Sequence, residues 1–424
     1  MKPEISQYPN GLRVVAIPLM ERKSVSMGIW VDTGARNESP ELSGVSHFLE
    51  HIVFKGTKKR SATQIKQSIE GVGGSMNAFT SEECTCFLAK TTRRHFENVF
   101  ETLADMVTDA SIAEEDVKKE RTVILEEIKM TQDQPSQLVE ELLSEIAWPN
   151  HPLGRPIAGT LESVSGLTRD SIADYRDRYY QPNFITVAVA GDIDKKALDE
   201  AAFRAFSRGP STHKKLDSVF RPSQVQPVVK LHDKKTEQTH LALSLHAPAK
   251  EHADESVVEI LSVILGGNMS SRLFNEVREE RGLAYDIGSY VRRYQDTGAL
   301  VVSAGVDHKK AKDALSVILA ELEKTAREPV AEDELKRAKD FYLGQFELGL
   351  ENSMNQMLWA GESALTLGRL KTQEEVIEKI ERVSVDDILR VAQQLFVTRS
   401  LSLAMVGPSL SDKDFRRLLS FARA

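Results

Sequence analysis

The chain has 424 residues, 41% of them hydrophobic and 28% charged, and a formal net charge of −8. That length calls for two or three domains of ordinary globular composition, and the acidic balance argues against nucleic acid, whose phosphates need an excess of Lys and Arg. No run of 18 apolar residues occurs, so no membrane span is expected, and Met1 to Val15 lacks a signal-peptide pattern, so a cytoplasmic location is expected.

Strand-like and helix-like patterns alternate from the start. Residues 24–31 read as a strand, 44–54 as a helix and 62–72 as a second helix. Gly73 and Gly74 break the chain, and 75–91 reads as a hairpin. Cys84 and Cys86, the chain's two cysteines, stand there at i, i+2, poorly placed to bridge, and read as buried reduced thiols. Helical periodicity returns over 95–109 and 113–129. Asp133-Gln-Pro135 interrupts it, and another helix begins near Ser136. The second half repeats the plan, with a strand at 239–247, a helix at 256–265 and a turn at Gly266-Gly267-Asn268. A helix with Arg272 and Phe274 follows, then strands at 287–291 and 299–306 and a helix at 309–324.

The echoes extend to the residues themselves. Ala113-Glu-Glu-Asp-Val-Lys-Lys-Glu120 returns as Ala331-Glu-Asp-Glu-Leu-Lys-Arg-Ala338, and Ile185-Thr-Val-Ala-Val-Ala-Gly191 as Leu401-Ser-Leu-Ala-Met-Val-Gly407. Self-similarity at about 215 residues means duplicated domains rather than a solenoid. Pro210, Pro222 and Pro227 mark a polar linker. The expected organisation is a first domain at 1–208, a linker at 209–227 and a second domain at 228–424. The expected fold class is α+β, each domain a mostly antiparallel sheet with helices packed on one face.

His47-Phe-Leu-Glu50-His51 is the segment that carries chemistry. On a helix, positions i, i+3 and i+4 share a face, so both imidazoles reach one ion with the carboxylate beside them. This is the inverted form of the H-E-x-x-H zinc motif. Such a pentapeptide arises by chance in roughly one chain in a hundred, and two ordinary histidines on a helix are the bland alternative. A catalytic zinc needs a third protein ligand. Glu120, Glu126 and Glu127 lie on the helix that starts near Ala113. Glu120 and Glu127 share a face, and Glu126 lies about 100° away. Helical geometry alone leaves both Glu126 and Glu127 open as the ligand.

The segment from Gly44 to Thr57 resembles the active-site helix of the pitrilysin family, which includes mitochondrial processing peptidase and its bacterial relatives. Glu120-Arg-Thr-Val-Ile-Leu-Glu-Glu127 resembles that family's second metal segment, whose third ligand stands 76 residues after the second histidine, as Glu127 does after His51. The resemblance covers essentially the whole chain. It implies one Zn2+ per chain on His47, His51 and Glu127, with Glu50 as general base and Glu120 orienting a metal ligand. Gly73-Gly-Ser-Met-Asn-Ala-Phe-Thr80 resembles the family's substrate-binding edge strand, which makes Asn77, Ala78 and Phe79 substrate contacts. Arg278-Glu-Glu-Arg-Gly-Leu-Ala-Tyr285 resembles the family's Arg and Tyr pair, which binds substrate and helps to polarise the scissile carbonyl.

The implied activity is a zinc-dependent endopeptidase acting on unfolded peptides or short precursor segments. Two domains resemble half of the family's clamshell, so the resemblance implies a homodimer, or a heterodimer with a metal-free relative, with Arg278 and Tyr285 serving the zinc site of a second chain. The alternative is a peptide-binding or scaffold subunit with little activity alone. Mitochondrial relatives read an arginine near the cut with acids shortly after the third ligand. Here Gln137, Glu140 and Glu141 stand in that stretch and support the preference in part.

The duplication supplies an internal test. Aligning Leu49 with Leu261 puts Ser262 and Val263 at the positions of Glu50 and His51, and an offset of 218 puts Ala338 and Gln345 at those of Glu120 and Glu127. The second half has lost the metal set together, so zinc is expected in the first half alone.

Overall fold

Alternating apolar residues build two sheets in the computed structural model, which describes residues 3–20, 22–216 and 218–421. The first sheet comprises β1 (Glu4–Gln7), β2 (Arg13–Pro18), β3 (Ser24–Val31), β4 (Ser75–Thr80), β5 (Thr85–Thr92) and β6 (Ile185–Gly191), in the order β1-β2-β6-β3-β5-β4. The second comprises β7 (Val228–Asp233), β8 (Thr239–Ala247), β9 (Ala284–Arg293), β10 (Gly298–Val306) and β11 (Ser402–Gly407), in the order β7-β11-β8-β10-β9. Without β1 the two orders are the same. Each sheet has one parallel pair, β2 with β6 and β7 with β11, and is otherwise antiparallel. The fold is α+β, built twice.

On one face of the first sheet, Val14, Ala16, Val25, Met27 and Ile29 share a core with the helices Val45–Ile52, Phe96–Asp109 and Arg169–Tyr179. Residues of the opposite parity, among them Val15, Ile17, Trp30, Ala188 and Ala190, are also buried. They pack under the helix Ser353–Leu367 through Met357, Ala360 and Ala364. Gly361 makes that approach possible, because a Cβ there would stand 2.3 Å from the Trp30 ring. In the second sheet, Ala242, Ala299, Val301, Ala404 and Val406 pack against Leu138, Val139 and Leu143 of the helix Pro135–Ala147. Most helices of each sheet occupy one face, as expected, but the other face carries one more helix. The reason is visible in β6 and β11, which are buried at every position and need cover on both sides.

The covering helix comes from the other half of the sequence. The chain divides into one compact unit of residues 1–128, 155–218 and 347–372, and a second of 129–154, 219–346 and 373–424. Pro135–Ala147 and Ser353–Leu367 begin 218 residues apart, so the two repeats exchange equivalent helices. The chain passes from one unit to the other at 128/129, 154/155, 218/219, 346/347 and 372/373. No described helix is long and apolar enough to cross a membrane.

Candidate metal centre

The helix Val45–Ile52 is two turns long and divides its residues by face. Val45, Phe48, Leu49 and Ile52 are fully buried, and burying side chains of this kind stabilises by about 1.5–3 kcal/mol each. That packing holds His47, Glu50 and His51 on the remaining, half-buried face. The ring centroids of His47 and His51 lie 4.7 Å apart.

Glu127 comes from the long helix Glu114–Asp133, which anchors through buried Val117, Ile124 and Ile128. Its carboxylate straddles the two imidazoles, with Oε1 3.8 Å from His47 Nε2 and Oε2 3.5 Å from His51 Nε2. Ligand atoms of His47, His51 and Glu127 all fall within 4.8 Å of one another. These gaps are too long for hydrogen bonds. They suit an ion, since tetrahedral zinc with bonds of about 2.0–2.1 Å separates its ligand atoms by about 3.4 Å. Glu126 is exposed and is not part of this group.

The surrounding contacts fix protonation and orientation. Burial, and then the neighbouring His51, push the His47 imidazole down to about 4, so it stands neutral with a lone pair to offer. His51 Nδ1 lies 3.3 Å from Oε2 of the buried Glu120, whose Oε1 takes an ion pair from Lys55 Nζ at 2.6 Å. Lys55 fixes the Glu120 side chain in place. The His51 tautomer that donates from Nδ1 to Glu120 leaves the Nε2 lone pair facing Glu127. Glu50 accepts a hydrogen bond from the Thr80 hydroxyl at 2.7 Å. Burial raises the Glu50 carboxyl above its ordinary value, and the bond from Thr80 opposes that rise.

Residues 13–161 match the family described as Insulinase (Peptidase family M16), and residues 166–342 match Peptidase M16 inactive domain. An uncharacterized zinc protease of Bacillus subtilis is 36% identical over 403 residues, covering 94% of this chain and 97% of that one. The chain belongs to the M16 peptidase family. A second uncharacterized zinc protease, from Streptomyces coelicolor, is 37% identical over 416 residues, 97% of this chain and 90% of its own. Among solved structures, a protease from Helicobacter pylori superposes with a TM-score of 0.90 at 25% identity, covering 96% of the M16 chain and all of its own. A Complex III2 chain from Candida albicans shares the fold, with a TM-score of 0.83 at 19% identity, covering 98% of this chain and 99% of its own.

The remaining expected residues of this M16 chain fall in two places. Asn77, Ala78 and Phe79 lie on β4, an edge strand of the first sheet. Asn77 and Phe79 face outward, and Asn77 Oδ1 accepts the N–H of Ala78. Ala78 turns inward against the core, so it has backbone rather than side chain to offer at the edge. Arg278 and Tyr285 belong to the second unit. Arg278 lies in a π-helical stretch, Phe274–Glu280, and its guanidinium stacks 4.6 Å from the Phe274 ring centre and 5.3 Å from that of Tyr285, which is 74% exposed. π-Helical turns often mark functional positions.

Of the acids expected to read an arginine, Glu140 is already engaged. It accepts hydrogen bonds from the Tyr290 hydroxyl and from Arg292, each at 2.5 Å. Burial raises the Glu141 carboxyl above its ordinary value. Sequence reasoning assigned no role to Thr80 or Lys55. Thr80 shares strand parity with inward-facing Met76 and Ala78, and Lys55 follows His51 by one helical turn. Those spacings were the available signals.

Proposed function

We propose that the chain is a zinc metalloendopeptidase that hydrolyses unfolded peptides or short precursor segments. The observation that carries this reading is the convergence of His47, His51 and Glu127 on one point, with the carboxylate of Glu50 held beside them by Thr80. Zinc bound by those three residues supplies Lewis-acid activation of water and of the scissile carbonyl. Glu50, partly desolvated and oriented by hydrogen bonding to Thr80, takes a proton from the attacking water and returns it to the leaving amine. Glu120 and Lys55 keep His51 in one tautomer and orientation.

The peptide adds to β4 as a further strand. Its recognition is mainly of backbone, with Asn77 and Phe79 on the outward face. The bond from Thr80 to Glu50 ties the end of that strand to the general base, which supports a cut beside it. Arg278 and Tyr285, stacked together in the second unit, bind substrate, and a homodimer places them at the zinc site of a second chain. Cleavage then occurs inside a dimeric chamber.

The test is cleavage of an unstructured quenched-fluorescence peptide library by the purified chain, with and without a zinc chelator. Cleavage lost to the chelator and restored by zinc is the expected result. A second reading, a peptide-binding subunit of a heterodimer with little turnover of its own, draws on the match of residues 166–342 to an inactive peptidase domain. Stoichiometric zinc with no cleavage, and cleavage gained on adding a related chain, would favour it.

A further inference from the structure

The metal helix begins in an unusual way. Its N-cap is Gly44, at φ +93°, and a Cβ at that position would stand 2.6 Å from the carbonyl oxygen of Ala158. Ser, Thr, Asp and Asn, the residues that ordinarily cap a helix with their own side chains, are therefore excluded there. The acceptor comes instead from six residues upstream. Glu38 Oε2 accepts the N–H of Gly44 at 2.7 Å, and Oε1 accepts the N–H of Ser46 at 2.8 Å. Those are the N-cap amide and the second amide of the helix, two of the donors that a helix start leaves without partners.

Glu38 is 1% exposed. A buried carboxylate is expensive to desolvate, and the hydrogen bonds and positive potential of a helix N-terminus offset part of that penalty. The groups around it hold it in place. Arg155 donates to the Glu38 main-chain oxygen at 2.5 Å, and its positive charge favours the ionised carboxylate. Ser46 is held in turn by its hydroxyl bond to Tyr175, whose own hydroxyl lies 2.7 Å from Thr33 Oγ1.

We propose that Glu38 is the positioning residue of the metal helix, supplying the cap that Gly44 cannot and thereby setting where His47 stands. The inference rests on the zinc reading above. An eight-residue helix has little stability of its own, and its ends fray first. His47 directly follows Ser46 in the first turn, whereas His51 lies in the second turn and has its own hold through Glu120. His47 also lacks such a hold, since its buried Nδ1 has no hydrogen-bond partner among the described residues. The position of its ring depends on the backbone that Glu38 fastens and on the packing of its neighbours.

The experiment uses the full chain as wild type, Glu38→Gln and Glu38→Asp. Circular dichroism of each metal-free protein establishes folding. Each protein is then titrated with zinc against a competing chelator, and loaded with Co2+ to saturation to record its visible d–d absorption. The Gln variant loses the charge and turns an N–H toward one of the two amides. It is expected to bind zinc roughly 10–100-fold more weakly and to show an altered cobalt band even when saturated. The Asp variant keeps the charge with a shorter reach and is expected to recover part of the affinity. A folded Gln variant whose zinc affinity stays within about twofold of wild type, with an unchanged cobalt band, overturns the proposal. If the Gln variant does not fold, the Asp variant decides: weaker zinc with an altered band supports the role, and wild-type behaviour on both counts overturns it. A wild-type chain that takes up no zinc would instead overturn the zinc reading itself.

Discussion

The helix Val45–Ile52 and its counterpart Glu255–Gly266 occupy the same place in two sheets of the same strand order, yet they carry different polar side chains. In the first unit two imidazoles and the carboxylate of Glu127 leave a gap suited to a cation. In the second, Glu259, Ser262 and Val263 stand where His47, Glu50 and His51 do. Counted back from the four-residue hairpin turn, Arg293 stands where Thr80 does. Its guanidinium forms an ion pair with Glu259 and lies 3.9 Å from Glu255. The first copy leaves room for an exchangeable cation, and the second carries a guanidinium of its own at the corresponding end of its strand. The same strand order is thus built with and without the His47, His51 and Glu127 set.

The sharpest way to test the contrast is to remove the base and leave the ligands. Glu50→Gln should lower peptide cleavage by roughly 10²–10⁴-fold while zinc content, measured by elemental analysis, stays at one per chain. His51→Ala should instead lose the zinc. Turnover near wild type in Glu50→Gln would remove the general base from the mechanism.

Breaking the second copy should affect stability and leave the metal alone. Arg293→Leu leaves Glu259 without its guanidinium and should destabilise the chain by about 3 kcal/mol, read by urea unfolding, with unchanged zinc affinity. Loss of zinc in that variant would contradict the division of labour.

The helix starts differ in pH response as well. Burial pushes Glu38 up to about 7 from an ordinary 4.5. Its contribution to stability is therefore fully present below about pH 4.5 and is lost as pH rises through about 7. The size of that loss is on the order of 3 kcal/mol. The stability difference between metal-free wild type and Glu38→Gln, measured by urea unfolding at about pH 5 and about pH 8, should show this loss, because the buried neutral His47 shifts both proteins alike in the opposite direction. Asp254, at the N-cap of the counterpart helix, is held below its ordinary value chiefly by hydrogen bonds from Arg390, so its contribution is lost as pH falls. That pair is exposed on the Arg390 side, and Arg390→Ala should cost less than about 1 kcal/mol by the same assay.

Much of this was legible in the residues alone. Periodicity marked both copies of the strand and helix plan, because burial on one face imposes a period of two or of 3.6 whatever the neighbours are. The spacing of His47, Glu50 and His51 placed them on one helical face for the same local reason. The choice between Glu126 and Glu127 was beyond periodicity, since it depends on how a distant helix turns its surface toward the histidines. Thr80, Lys55 and Glu38 were missed because each acts through a contact made across the fold. The exchange of Pro135–Ala147 and Ser353–Leu367 was hidden for a related reason. An apolar helix face states that it must be covered, but two sheets of the same order offer it equivalent surfaces. Local pattern determined which elements form and which residues share a face. Tertiary packing decided which surfaces meet, because that choice depends on complementarity between segments far apart in the chain.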